Sequence, residues 1–117
     1  MKRHHTGLAA LMFTNSLLLS PVWASAAPAA SQPGTSREYH ITIKGLQFLP
    51  ARLEIKVGDS VTWANADIVP HTVNGTKAFD SKNLGVGQSW RLLAMKKGVF
   101  HYACAYHPTM LGVLIVQ

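Results

Sequence analysis

Along residues 38–44, Tyr39, Ile41 and Ile43 alternate with His40, Thr42 and Lys44. Apolar side chains at every second position suit a strand with one face buried. The same period returns in LEIKV, with Leu53, Ile55 and Val57 on one face, and in VTWAN, with Val61 and Trp63. It returns again in VFHYAC, where Phe100, Tyr102 and Cys104 oppose His101 and Ala103. GVLIVQ is a near-continuous apolar strand and SWRLLAM a less regular one. LQFLPAR carries Pro50, which cannot donate to a ladder and so marks a bend or an edge. GDS and KKG read as turns, ADIVPHTVNG as a loop running into a short strand, and TKAFDSKNLGVGQ as a long turn-rich connection. About seven to eight short strands at this spacing predict an all-β Greek-key sandwich or barrel. Trp63, Trp90 and Met95 are expected in its core.

The first 26 residues follow a different pattern. MKRHH is a short basic start, and LAALMFTNSLLLS is an apolar stretch interrupted by Thr14, Asn15 and Ser16. Ala24, Ser25 and Ala26 place small residues where a signal peptidase needs them. The pattern predicts an export signal over residues 1–26, cleaved after Ala26, and a periplasmic protein. An uncleaved amphipathic anchor is the alternative. The apolar stretch falls short of the roughly 20 residues a spanning helix needs, so no membrane insertion is expected after cleavage. Residues 27–36, APAASQPGTS, read as a flexible linker, which leaves one domain over residues 37–117.

Composition agrees with one folded domain: 48% of the 117 residues are hydrophobic and 14% charged. Without Lys2 and Arg3, nine basic residues face five acidic ones, a net charge of +4. That falls short of the dense Lys/Arg patch nucleic acid requires, so no nucleic-acid partner is expected.

The chemistry gathers at CAYHPTMLG. Cys104 is the single cysteine, in a chain bound for an oxidising compartment where thiols usually pair. It is an inert core thiol, an intermolecular disulfide partner or a metal ligand. His107 and Met110 follow at three-residue intervals. Thiolate, imidazole and thioether form a soft donor set, and two histidines, one cysteine and a weak axial methionine suit electron-transfer copper. A second histidine is needed. His101 lies on the opposite strand face from Cys104, and His40 faces away from Tyr39 and Ile41. His71, in the loop IVPHTV, is free to reach in. Zinc on His71, Cys104 and His107 with water is the competing reading. Asp67 is a lone carboxylate near His71, too little on its own to suggest a hydrolase.

These residues resemble the cupredoxins, the type 1 blue copper proteins, and among them the amicyanin- and plastocyanin-like members. The resemblance runs through FLPARLEIKVGDSVTWANADIVPHTV, FDS, LGVGQSW and KKGVFHYACAYHPTMLGVLIV, in that order. It implies one copper ion on His71, Cys104, His107 and Met110. It implies that the backbone N–H of Thr72, where many members have asparagine, points at the cysteine sulfur, and that Asn65 ties the ligand loops together. It implies an apolar docking ring around His107, formed by Ile68, Val69, Pro70, Pro108 and Leu111. The activity it implies is single-electron transfer between redox partner proteins, by a monomer that is not an enzyme. A copper chaperone or buffer would use the same ligands and is the alternative.

Overall fold

The computed structural model describes residues 34–117 and, before them, residues 7, 10, 11, 16–21 and 23. The expected cleavage point at Ala26, much of the export signal and most of the linker lie outside the described residues. Among those described, no helix is long and apolar enough to cross a membrane.

Residues 34–117 form seven strands: β1 (Glu38–Lys44), β2 (Gln47–Leu49), β3 (Arg52–Ile55), β4 (Ser60–Asn65), β5 (Ser89–Leu93), β6 (Gly98–Ala103) and β7 (Leu111–Val116). They make two sheets, one ordered β2-β1-β4-β5 and the other β3-β7-β6. β1 runs parallel to β4 and β3 parallel to β7; the remaining pairs are antiparallel. β2, the strand before Pro50, is an edge strand, where a missing N–H is tolerated. The β1–β2 hairpin turns on Gly45 and Leu46, both at positive φ (61° and 57°), a backbone twist that suits two-residue hairpins.

The inward faces of the sheets close on one another. Ile41, Ile43, Val61 and Trp63 come from the first sheet and Ile55, Tyr102, Leu114 and Val116 from the second, all buried. Trp63 and Tyr102 meet edge to face with ring centroids 5.6 Å apart, and Phe48 stands 4.8 Å from Tyr102. Such contacts add to area burial and fix ring orientation.

Three expectations fail here. Met95 is 71% exposed, because β5 ends at Leu93 and the backbone of Ala94 turns to pair with Gly58 and Asp59. Val57 is 42% exposed; β3 stops at Ile55 and Val57 belongs to the turn before Gly58. The segment after Pro70 is no strand but makes isolated bridges, His71 to Leu84 and Asn74 to Asp80 and Ala103. Trp63 is fully buried, whereas Trp90, on the edge strand β5, is half-buried.

Asp59 closes the end of the sandwich near the β3–β4 turn. Its carboxylate accepts the N–H groups of Arg37 at 2.8 Å and Lys56 at 2.9 Å. These donors, Arg37 first, hold the carboxyl below its ordinary value of 3.8. A carboxyl lowered in the folded state stabilises the fold fully above its unfolded value and loses that contribution as pH falls below it. Asp59→Asn should therefore flatten the acid side of the stability profile, read as urea midpoints between about pH 6 and pH 3. An acid slope equal to that of the parent would contradict this role.

Candidate metal centre

Cys104 follows β6 directly and keeps the inward orientation of Tyr102 two residues earlier; it is 1% exposed. The chain must then return to β7, and residues 104–110 do so in one tight loop. The Met110 N–H donates to the His107 carbonyl at 2.8 Å, and the Cys104 N–H to the Met110 carbonyl at 3.2 Å. The loop thereby folds His107 and Met110 back towards the cysteine, and Met110 is buried. His71 arrives from the other side, fixed by two backbone hydrogen bonds to Leu84 of 3.0 and 2.8 Å.

The three donors meet. Cys104 Sγ lies 3.7 Å from His71 Nδ1 and 3.8 Å from His107 Nδ1, and all three ligand atoms fall within 4.8 Å of one another. A metal–sulfur bond of about 2.3 Å and a metal–nitrogen bond of about 2.0–2.1 Å, opened to roughly 120°, separate sulfur from nitrogen by roughly 3.8 Å. Both sulfur–nitrogen spacings therefore suit one ion that Cys104, His71 and His107 would share, and the donor set is the soft one copper favours.

The surroundings prepare each donor. Burial pushes the Cys104 thiol up, but the Thr72 N–H, the imidazoles of His71 and His107 and the Tyr106 N–H outweigh it and bring the thiol down to about 6. The Thr72 N–H donates to Sγ at 3.3 Å. Its hydroxyl accepts the Ala105 N–H at 2.7 Å, so the threonine side chain pins the ligand loop as well. Asn65 is fully enclosed and donates to the carbonyls of Val69 (2.9 Å) and Leu84 (3.0 Å), while its own oxygen accepts the Asp67 N–H (3.0 Å). It ties the loop before His71 to the segment that pairs with His71.

Sequence reasoning weighed Asp67 only as a lone carboxylate near His71 and missed its contact with the imidazole. Its Oδ2 lies 2.9 Å from His71 Nε2. The Leu46 N–H, the His71 ring and the Ile68 N–H hold its carboxyl down at about 2. An ionised carboxylate only accepts, so Nε2 donates this hydrogen bond and Nδ1 is left as the ring atom that faces Cys104. The usable signal was a carboxylate four residues before a candidate ligand histidine, since such histidines commonly give their second N–H to a carboxylate.

His40 and His101 are exposed on β1 and β6, apart from the cluster, as their strand positions imply. Of the residues expected to ring His107, Ile68 is 89% and Leu111 64% exposed. Pro70 and Pro108 are also exposed, and Val69 is half-buried.

The chain matches the cupredoxin-like domain over residues 16–116. It is 28% identical to amicyanin of Paracoccus denitrificans over 116 residues, spanning 94% of this chain and 88% of that protein. Among solved structures, a purple cupredoxin from Nitrosopumilus maritimus superimposes with a TM-score of 0.63 at 33% identity, covering 68% of this chain and 99% of that one. A variant amicyanin in its Cu(I) form gives 0.66 at 27% identity, covering 68% of this chain and 82% of its own. A copper-containing nitrite reductase from Thermus scotoductus gives 0.63 at 29% identity, but over only 22% of its length. A two-sheet fold with a thiolate and two imidazoles at one end, matched by one family over almost its whole length, places this chain in the cupredoxin-like family, whose cofactor is copper.

Proposed function

We propose that this chain is an exported blue copper protein that carries single electrons between redox partners in the periplasm. The observation that carries the reading is the pair of sulfur–nitrogen distances, 3.7 and 3.8 Å, in a cluster whose cysteine and His71 are buried. His71, Cys104, His107 and Met110 would hold the metal. Bound copper supplies one-electron chemistry, alternating between the cupric and cuprous states. The protein keeps the donors in place. Cys104 is poised as a thiolate by the Thr72 N–H, and His71 is locked in one tautomer by Asp67. His71, Cys104 and Met110 are buried, whereas His107 is half-exposed, so its ring is the one ligand side chain that a partner could reach once copper is bound. Enclosing three of four donors suits a retained cofactor better than cargo to be handed over. An experiment separates the two: a carrier keeps its copper through repeated reduction and oxidation, and a chaperone loses it to a copper(I) acceptor. The nitrite reductase likeness covers too little of that enzyme to carry a catalytic reading, and we read the chain as no enzyme.

Removing a carboxylate that orients a metal-binding imidazole weakens affinity by about 10–100-fold. Asp67→Ala should do so in competitive copper(I) titration, and unchanged affinity would contradict the role of Asp67.

Ile68 and Leu111, which the family resemblance assigns to the surround of His107, expose apolar side chains suited to brief encounters. Burying one such side chain is worth about 1.5–3 kcal/mol. Leu111→Asp should therefore slow electron transfer to a protein partner such as a c-type cytochrome by about tenfold or more. The rate with ferricyanide should hardly change. Equal protein rates for parent and variant would rule out this docking face.

A further inference from the structure

The loop that carries His107 lies open to solvent. Ala105, Tyr106, Pro108 and Thr109 are all exposed. Among the described residues, two hydrogen bonds tie residues 105–109 to parts of the domain outside the loop 104–110. One is the Ala105 N–H to the Thr72 hydroxyl at 2.7 Å. The other runs from the Tyr106 hydroxyl to Asn83 Oδ1 at 2.9 Å. Asn83 directly precedes Leu84, the residue whose backbone holds His71 on both sides of its peptide unit. The phenol thus joins the loop bearing Cys104 and His107 to the segment that positions His71, across 23 residues of sequence.

We propose that the Tyr106–Asn83 hydrogen bond is a latch that keeps the two ligand-bearing segments in register, making Tyr106 a positioning residue of the metal centre. The proposal rests on the copper reading above. An electron carrier transfers fastest when its ligands move least between oxidation states, and His107 sits one residue beyond the latch. The bond at Ala105 secures the inner side of the loop. Without the phenol, the outer side, where His107 meets solvent, keeps only hydrogen bonds within the loop itself, such as that from the Met110 N–H to the His107 carbonyl, among the described residues. Tyr106→Phe keeps the ring, the exposed area and the backbone N–H that faces Cys104, and deletes only the latch.

The test is electron self-exchange, measured by NMR line broadening in half-oxidised copper-loaded protein, together with the sharpness of the copper EPR hyperfine lines. A net hydrogen bond of ordinary strength corresponds to about a threefold to tenfold change in rate. Tyr106→Phe and Asn83→Ala should each slow self-exchange by about that factor and broaden the hyperfine lines. The double variant should be no slower than either single one. Asn83→Asp, which keeps an acceptor for the phenol, should retain the parent rate. Parent-like rates and line widths in both single variants would overturn the latch, and so would additive losses in the double variant. Losses that merely follow a lowered unfolding midpoint would overturn it too. A parent protein that takes up copper without turning blue would overturn the carrier reading and the latch together. A blue parent with equally fast variants would overturn the latch alone.

Discussion

Replacing Cys104 with serine should abolish the intense visible absorption of the copper-loaded protein and remove its reversible one-electron couple. The sulfur is the soft, charge-donating member of the set, and a serine oxygen is neither soft nor ionised at neutral pH. Burial pushes the parent's thiol up, but four groups converge on Sγ, the Thr72 N–H foremost among them, and bring it down to about 6. None of them brings an alcohol into that range. The affinity loss should exceed the roughly 10–100-fold expected when an imidazole loses its supporting carboxylate. The fold should survive, because serine is close to cysteine in shape and the core lies mainly in Trp63, Tyr102 and the aliphatic side chains around them. Visible spectroscopy and voltammetry of the variant read both effects. A serine variant that stayed blue would remove Cys104 from the centre.

Gly112→Ala should cost about 3 kcal/mol or more, near the upper end for overpacking. A Cβ at position 112 would overlap the Tyr102 ring at Cζ and its hydroxyl. Tyr102 pairs with Gly112 across β6 and β7, and it cannot retreat, being 3% exposed and backed by Phe48 and Trp63. Domains of this size are stable by only about 5–15 kcal/mol, so the loss is a large share of the total. Tyr102 stands two residues before Cys104, and Gly112 two residues after Met110. The displaced ring therefore disturbs both ends of the ligand loop, and the copper spectrum of the variant should shift as well. Urea unfolding of the apoprotein gives the stability change. Combining Gly112→Ala with Tyr102→Leu should cost less than the two single changes together, because the second removes the clash created by the first. A Gly112→Ala protein within about 1 kcal/mol of its parent would contradict this packing account.

The period-two pattern exposed β1 and β6 because each turns one face to the core and the other to solvent, while β4, inside its sheet, alternates buried with half-buried positions over Val61–Asn65. The pattern misled where a strand stopped early. Val57 and Met95 continue the apolar rhythm of β3 and β5 but lie past the ends of both strands. Hydrophobicity alone does not mark where a ladder runs out of partners. The parallel pairings of β1 with β4 and β3 with β7 were equally hidden, since they join segments well separated along the chain. At the candidate metal centre, Cys104 and His107 stood out in the sequence, with Met110 beside them, because one seven-residue loop carries all three. His71, 33 residues upstream of Cys104, emerged only after His40 and His101 were set aside by strand face. The Thr72 hydroxyl and Asn83 have ordinary loop identities, and their contacts span 33 and 23 residues, which local pattern does not encode.

The central claim is that one copper ion binds Cys104 as thiolate together with His71 and His107 and cycles there. Its most direct test is to add one equivalent of copper(II) to the purified protein and follow the visible spectrum through reduction by ascorbate and reoxidation by ferricyanide. The account predicts an intense blue thiolate-to-copper charge-transfer band that bleaches on reduction and returns in full on oxidation. A colourless complex, or a cysteine that copper simply oxidises, would contradict it.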